Sequence, residues 1–406
     1  MTTAEAQSLP RWRRPESLLL LLAFAMPVAF ATWSALLNNF VIERAQFTGV
    51  EIGWLHTVRE IPGLLAIGVI VLLLFIREQV LGVIALVLLG VATALTGYFP
   101  TFNGILIMTL LSSIGFHYFE TVNQSLQLQW IDRARAPQML GWLTAAASAS
   151  SLLVYTIIVV LWEPLDLTYN KVYLAAGSFT AAVAVFTWFA YPQFASPHPQ
   201  NKNMVLRRRY WLYYVLQFMS GARRQIFVVF AGFMMVERFG MKVSEMTLLL
   251  MMNYILLTVA GPAMGRALAR WGERNVMAFE YVGLTLVFMA YGGIYWFGWG
   301  LVAAGALYML DQMFFALSFA LRTYFQKIAD PADIAPTAAV SFTINHIAAV
   351  FLPASLGYMW AVAPDYVFVM GAAMAVLALG LVLLIPRDPS PGHETILSRG
   401  NPVAAE

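Results

Sequence analysis

Two adjacent arginines, Arg223 and Arg224, lie within the otherwise apolar stretch "FMSGARRQIFVVFAGFM". A guanidinium at the centre of a bilayer costs about 2.5 to 3.5 kcal/mol on biological insertion scales. The same group presents a planar fork of donors that fits a carboxylate or a phosphate. Neighbouring residues of a helix point about 100° apart. We therefore expect one arginine to bind an anionic substrate and the other to pair with a carboxylate such as Asp311 or Glu120.

A polar stripe follows one face of another apolar stretch. Its members are His117, Glu120, Gln124 and Gln127. At about 100° per residue they fall within an arc of roughly 80° on a helix. Ionisable residues at membrane depth usually face a cavity, so we interpret Glu120 as a proton-coupling residue with His117 as its partner. The alternative is a structural pair of histidine and carboxylate.

Other polar residues fall at membrane depth in further apolar stretches. Asp311 is a third proton-coupling candidate, and Gln124, Asn345 and His346 are substrate-binding candidates beside the two arginines. A buried histidine is as often a hydrogen-bonded core residue as a functional one. Three further residues, predicted to lie nearer the non-cytoplasmic surface, are candidates for lining the vestibule: Asn38, Arg59 and Glu60.

The composition indicates which class of protein must position these residues. The chain has 406 residues, of which 60% are hydrophobic and 11% charged, and its mean hydropathy is +0.72. A soluble domain carries about 25% charged residues, so the chain is predicted to be an integral membrane protein. It contains no cysteine, which excludes disulfides and thiolate metal sites. The net charge of +3 gives no reason to expect nucleic-acid binding.

Polar and Pro/Gly breaks divide the chain into about twelve apolar stretches of membrane-spanning length. The sequence therefore predicts an all-α fold of about twelve transmembrane helices in two pseudo-symmetric six-helix bundles. The predicted spans, numbered 1 to 12, are residues 15–40, 51–76, 80–98, 103–129, 138–162, 171–191, 210–237, 244–267, 275–297, 300–325, 335–360 and 366–385.

The loops predict the orientation and the division of the chain. Lys and Arg collect in alternate loops, while the opposite side holds only Arg44, Lys171, Arg238 and Lys242. Since cytoplasmic loops carry the excess of positive charge, both termini are predicted to be cytoplasmic. The predicted parts are a tail at 1–14, a first bundle at 15–191, a linker at 192–209, a second bundle at 210–386 and a tail at 387–406.

Two six-helix halves joined by a basic linker resemble the major facilitator superfamily. The segment "GRALARWGERNVM" is similar to the superfamily's cytoplasmic loop signature. The resemblance implies a conformational latch formed by Gly265, Arg266, Arg270, Gly272 and Arg274. An ordinary positive loop would also be rich in arginine. The corresponding loop of the first half, "FIREQVLG", lacks the glycine framework.

These features predict a secondary transporter, not an enzyme, that moves a small organic anion by alternating access with proton coupling. One alternative is a proton-coupled exporter of cationic or lipophilic compounds, although span 5 lacks the Gly-Pro pattern of drug antiporters. Another is a divalent-metal transporter that uses His117, Glu120, Asp311 and His346. A non-transporting scaffold is a further class. We expect no cofactor and no resident metal, a monomer in lipid, and a bacterial inner membrane.

Overall fold

The fold is described from a computed structural model that covers residues 8–65, 68–131, 135–194, 206–330 and 333–398. The outer parts of both predicted tails and the middle of the predicted linker lie outside these ranges. Within them the chain is helical and forms no β-strand. The helices are α1 Pro15–Ala45, α2 Gly49–Leu64, α3 Gly68–Leu72, α4 Glu78–Thr96, α5 Phe102–Trp130, α6 Ala136–Leu161, α7 Tyr169–Ala190, α8 Trp211–Gln225, α9 Gly232–Glu237, α10 Val243–Trp296, α11 Leu301–Ala316, α12 Phe319–Ile328, α13 Ile334–Val362 and α14 Pro364–Val382.

The helices confirm the all-α membrane fold, although they do not confirm the count of twelve spans. Nine helices of the described ranges are long and apolar enough to cross a membrane. Helix α10 has 54 residues, or about 80 Å at 1.5 Å per residue, which exceeds one crossing of hydrocarbon about 30 Å thick. It bends at Gly272, where φ is 74° and ψ is 167°. Predicted spans 2 and 7 are divided into shorter pieces.

The chain forms two compact units. Unit 1 consists of Met1–Phe47, Val58–Asn201 and Met241–Met251, and unit 2 consists of Thr48–Thr57, Lys202–Gly240 and Met252–Glu406. The start of α2 thus belongs to unit 2, and the start of α10 belongs to unit 1. The sequence-based boundary at residues 192–209 stays a prediction.

Close helix packing organises unit 1. Gly90 of α4 faces Gly177 of α7, and a Cβ built on either residue would lie within 2.7 Å of the other's carbonyl oxygen. Small residues let helix backbones approach in this way inside a membrane. Leu86 and Leu89 of α4 join a core cluster that includes Leu18 and Leu22 of α1. The same cluster contains Phe119 of α5, so it also packs the helix that carries the predicted polar stripe.

An interruption of regular α-helix divides predicted span 7 in unit 2. Residues Ile226–Ala231 form a π-helix between α8 and α9. Wide turns of this kind within helices often occur at functional sites. The π segment is held by its apolar side chains, since Ile226 and Phe230 are fully buried. It begins two residues after Arg224, so the backbone is irregular next to the arginine pair.

A charged cluster ties the end of the linker to the start of α13 in unit 2. Arg207 Nη2 donates to Asp333 Oδ1 at 2.9 Å, and the Tyr210 hydroxyl donates to Asp333 Oδ2 at 2.9 Å. Arg209 pairs with Asp330. Asp333 is 2% exposed, whereas the Arg207 side chain is 52% exposed. The hydrogen bonds from Arg207 hold the pKa of the Asp333 carboxyl below its usual value.

We expect Asp333→Asn to lower the melting temperature by about 2 to 4 °C at neutral pH. A lowered folded-state pKa stabilises the protein above the unfolded-state pKa of about 3.9, and this contribution is lost as the pH falls through the folded-state value. The difference between wild type and Asp333→Asn should therefore shrink in acid. Thermal unfolding between pH 7 and pH 3 measures it. A constant difference across this range would contradict the role given to the charge, and the more exposed Asp330→Asn is the matched control.

Candidate functional site

Arg223 is the paired member of the arginine doublet. It is 1% exposed, and its Nη2 donates to Glu280 Oε1 at 3.1 Å. Its guanidinium carbon lies 5.1 Å from the ring centre of Phe315 and 5.8 Å from that of Tyr281. Cation–π contacts and an ion pair together compensate the buried charge. Arg223 is therefore an internal residue of unit 2, held between α8, α10 and α11.

The carboxylate partner is Glu280 of α10, which the sequence analysis did not single out. The two expected partners were Asp311 and Glu120. Glu280 is 1% exposed and is the one acidic residue of the apolar stretch 275–296. It lies five residues after the start of predicted span 9 at residue 275. A search for single opposite charges in separate apolar stretches would have found the pair.

Arg224 is only half-buried, in contrast to its neighbour, because adjacent helical residues point about 100° apart. It shares a face of α8 with Gln217, seven residues earlier, and with Tyr213, four residues before that. Gln217 Nε2 donates to the Tyr213 hydroxyl at 3.0 Å. Arg224 was predicted from the sequence, whereas Gln217 and Tyr213 were not, although spacings of four and seven residues place side chains on one face of a helix.

Asn345 of α13 reaches the same face of α8. Its Nδ2 donates to the carbonyl oxygen of Gln217 at 3.4 Å. The approach depends on Gly221, since a Cβ there would lie 2.6 Å from the Asn345 carbonyl oxygen and 2.8 Å from its Nδ2. We call Tyr213, Gln217, Arg224 and Asn345 the α8 polar face. It assembles two of the five predicted substrate-binding residues with two that were not predicted.

His346 and Asp311 occupy different surroundings in unit 2. His346 Nδ1 lies 2.8 Å from the Phe342 carbonyl oxygen one turn earlier, and its ring lies 4.1 Å from the ring of Phe342. Asp311 of α11 is fully buried. Among the described residues, neither of its carboxylate oxygens has a hydrogen-bond partner. Arg223 acts on it electrostatically, although the hydrogen-bonded partner of Arg223 is Glu280.

The predicted polar stripe of unit 1 lies on α5, and its four side chains differ in how deeply they are buried. His117 is 6% exposed, Glu120 and Gln127 are half-buried, and Gln124 is exposed. Glu120 Oε1 and Gln124 Nε2 are 3.5 Å apart. Along α5, Glu120 therefore lies between the exposed Gln124 and the buried His117. The sequence-based proton-coupling role of Glu120 and His117 stays a prediction.

Glu60 of α2 lies beside His117 inside unit 1. A carboxylate oxygen of Glu60 and a ring nitrogen of His117 are within 4.8 Å of each other. Glu60 is 2% exposed and pairs with Arg59, whose guanidinium lies 5.3 Å from the ring centre of Trp33. The third vestibule candidate, Asn38 of α1, is 8% exposed. The structure thus places an acidic residue next to His117 that the sequence analysis assigned to the vestibule.

The predicted latch residues lie around the bend of α10. Gly265, Arg266 and Arg270 are exposed, while Gly272 and Arg274 are half-buried. The φ of Gly272 is 74°, a conformation that residues with a Cβ rarely adopt. This backbone conformation explains why a glycine occupies this position of the motif. Glu273 beside it is 4% exposed and pairs with Lys327 of α12 at 2.8 Å. The latch function itself stays a prediction.

The membrane-length helices define a multi-pass membrane protein that buries ionisable residues within them. A family model described as Major Facilitator Superfamily matches residues 18–353. The chain belongs to the major facilitator superfamily, whose members bind small-molecule substrates. This membership indicates a transporter and not an enzyme.

The fold is similar to those of several solved transporter structures. A point mutant of the nucleoside transporter NupG superposes with a TM-score of 0.71 at 15% identity, covering 91% of this chain and 99% of that chain. A bacterial homologue of the human lysosomal transporter Spinster, in an inward-facing and occupied conformation, gives 0.69 at 11% identity, covering 91% and 95%. No curated protein sequence matches the chain. At these identities the likeness shows the fold alone.

Proposed function

We propose that the protein is a secondary transporter of a small organic anion, coupled to protons and working by alternating access. The observation that carries the substrate class is the position of Arg224, which is half-buried beside the amides and the hydroxyl of the α8 polar face. Arg223, in contrast, is an internal residue that forms a buried ion pair with Glu280. A guanidinium in this position offers a positive charge and paired donors to a carboxylate or phosphate.

The other members of the α8 polar face suit the organic part of such a substrate. Gln217 and Asn345 carry amides that donate and accept, and Tyr213 carries a hydroxyl. Gly221 leaves room for Asn345 to approach the helix. Few polar groups among many apolar ones are the usual composition of a small-molecule site. The proposed substrate is therefore a molecule with one anionic group and at least one further polar group.

A thermal-shift screen of purified protein tests the substrate class. The ligands are organic carboxylates, organic phosphates, nucleosides, amines and divalent metal ions, each with wild type and Arg224→Ala. A ligand at 100 times its Kd stabilises the folded state by about 2.7 kcal/mol. An organic anion should stabilise wild type and should stabilise Arg224→Ala much less. Stabilisation by amines or metal ions alone would overturn the proposal, and stabilisation by nucleosides alone would replace the anion with a neutral substrate.

We expect Glu120→Gln to abolish uptake driven by a pH gradient and to spare counterflow exchange. The half-buried carboxyl of Glu120 can exchange a proton with water, and a glutamine of the same shape cannot. Uptake and counterflow in proteoliposomes measure the two activities separately. The control is Gln124→Ala, which alters the same face of α5 without removing an acid. Gradient-driven uptake by Glu120→Gln at the wild-type rate would place the coupling proton elsewhere.

The membrane setting completes the proposal. The distribution of Lys and Arg supports cytoplasmic termini and a bacterial inner membrane, and we propose a monomer. Because the chain has no cysteine, a single cysteine introduced at Ser398 can be labelled from one side only. Labelling by an impermeant reagent in intact cells would refute a cytoplasmic C-terminus. Light scattering of the purified protein gives its mass, and a dimer mass would refute the monomer.

A further inference from the structure

Three ionisable side chains share the interior of unit 2 without access to water. Arg223, Glu280 and Asp311 are at most 1% exposed, and they come from α8, α10 and α11. The set contains one guanidinium and two carboxyl groups. An isolated charge is strongly disfavoured in such surroundings unless it is paired or hydrogen-bonded. Their protonation is therefore constrained by the contacts that each one makes.

The contacts divide the two carboxyl groups into a paired one and an unpaired one. Glu280 accepts the hydrogen bond from Arg223 at 3.1 Å. The rings of Phe315 and Tyr281 cover the guanidinium. Asp311 lies one helical turn before Phe315 on α11, and among the described residues its oxygens accept no hydrogen bond. The second carboxyl group thus lies within the field of Arg223 but outside its hydrogen bonds.

Among the residues that the structure describes, the other titratable groups that act on the cluster are phenols and supply no second cation. Tyr281 interacts electrostatically with Glu280 and Arg223. Tyr291 does so with Asp311 and Tyr308. These three groups are phenols, which are neutral near pH 7. A single guanidinium balances a single carboxylate, so the cluster is neutral only when one of its two acids carries a proton.

We propose that Arg223, Glu280 and Asp311 form a buried site for a single proton. In the arrangement seen, Glu280 is ionised and Asp311 is the protonated acid. The pairing of Arg223 decides which acid is ionised, because removal of Glu280 makes the guanidinium available to Asp311. The inference deepens the proposed proton coupling by naming a site for the coupling ion. Protonation can be measured without transport, so the two proposals can fail separately.

Infrared spectroscopy of the purified protein at pH 7 detects the proton directly, because protonated carboxyl groups have a carbonyl band that carboxylates lack. Asp311→Asn should lose the band intensity of one acid. Glu280→Gln should also lose one, since Arg223 then pairs with Asp311 and ionises it. Arg223→Gln should gain one, because both acids then carry protons. The control is Glu245→Gln, which removes an exposed acid of unit 1 and should leave the band unchanged.

Two of these variants have outcomes that would overturn the proposal. An unchanged band in Asp311→Asn would show that Asp311 is ionised in wild type. An unchanged band in Glu280→Gln would show that the pairing of Arg223 does not set the charge of Asp311. Asp311→Asn is a neutral isostere of the proposed protonated acid, so its melting temperature should match that of wild type. A large loss of stability in Asp311→Asn would contradict a protonated Asp311 even if the other variants failed to fold.

Discussion

Arg223→Met is expected to destabilise the protein by about 3 to 5 kcal/mol at neutral pH, the usual cost of removing one partner of a buried ion pair. The side chain is fully buried, and its loss leaves Glu280 and Asp311 without a cation. Methionine fills a similar volume, so the effect measures the charge more than a cavity. Unfolding in a denaturing detergent, followed by circular dichroism, gives the free energy difference.

A double variant separates the ion pair from other effects of the substitution. Arg223→Met combined with Glu280→Gln removes both charges and should recover most of the lost stability. Glu280→Gln alone should cost less than Arg223→Met alone, because Asp311 remains for the guanidinium. Arg322→Met, which alters an exposed arginine of α12, is the control and should be close to neutral. Wild-type stability of Arg223→Met would show that the buried pair contributes nothing.

Arg224→Ala is expected to weaken binding of the anionic substrate by about 10- to 100-fold, the value of a hydrogen bond to a charged group. Arg224→Lys should fall between alanine and wild type, because it keeps the charge but loses the planar fork. The stability of either variant should change little, since Arg224 is half-buried. Calorimetric titration with the strongest anion from the thermal-shift screen gives the Kd of each protein.

Substitutions at neighbouring positions show whether a change of binding in Arg224→Ala comes from the loss of its charge or from a disturbance of the whole α8 polar face. Gln217→Ala removes an amide from the α8 polar face and should weaken binding by a smaller factor than Arg224→Ala. Gly221→Ala should also weaken it, since a Cβ there would displace Asn345. Unchanged binding in Arg224→Ala together with a loss in Gln217→Ala would keep the site and reject the anion. Unchanged binding in all three would place the substrate elsewhere.

The membrane architecture could be predicted from the sequence because it depends on the composition and length of the apolar stretches. Apolar stretches of about 20 residues and the asymmetry of Lys and Arg in the loops are local properties of the sequence. The divergence of Arg223 and Arg224 was also predictable from helix geometry alone. The π-helix after Arg224 was not predictable, because it interrupts a stretch that has no break in hydropathy. The bend at Gly272, in contrast, falls in the predicted loop between spans 8 and 9.

The partners of the buried charges could not be predicted because they depend on tertiary packing. Arg223 was expected to meet Asp311 or Glu120, and the structure places it on Glu280. Glu120 belongs to unit 1, and Asp311 lies beyond the hydrogen bonds of Arg223. The length of an arginine side chain lets its guanidinium lie well away from its own backbone, and here the guanidinium lies against Glu280 of α10. Counting residues from the helix ends gives the depth of the backbone in the membrane, but not the position of the guanidinium at the end of the side chain.

The most direct test of the proposed anion transport is counterflow of a labelled organic anion in proteoliposomes. At an anion concentration near the wild-type Kd, wild type and Arg322→Ala should exchange the anion at the same rate, and Arg224→Ala should exchange it much more slowly. Counterflow needs no proton gradient, so the result bears on the substrate alone. Exchange by Arg224→Ala at the wild-type rate, for every substrate that the protein carries, would contradict the account.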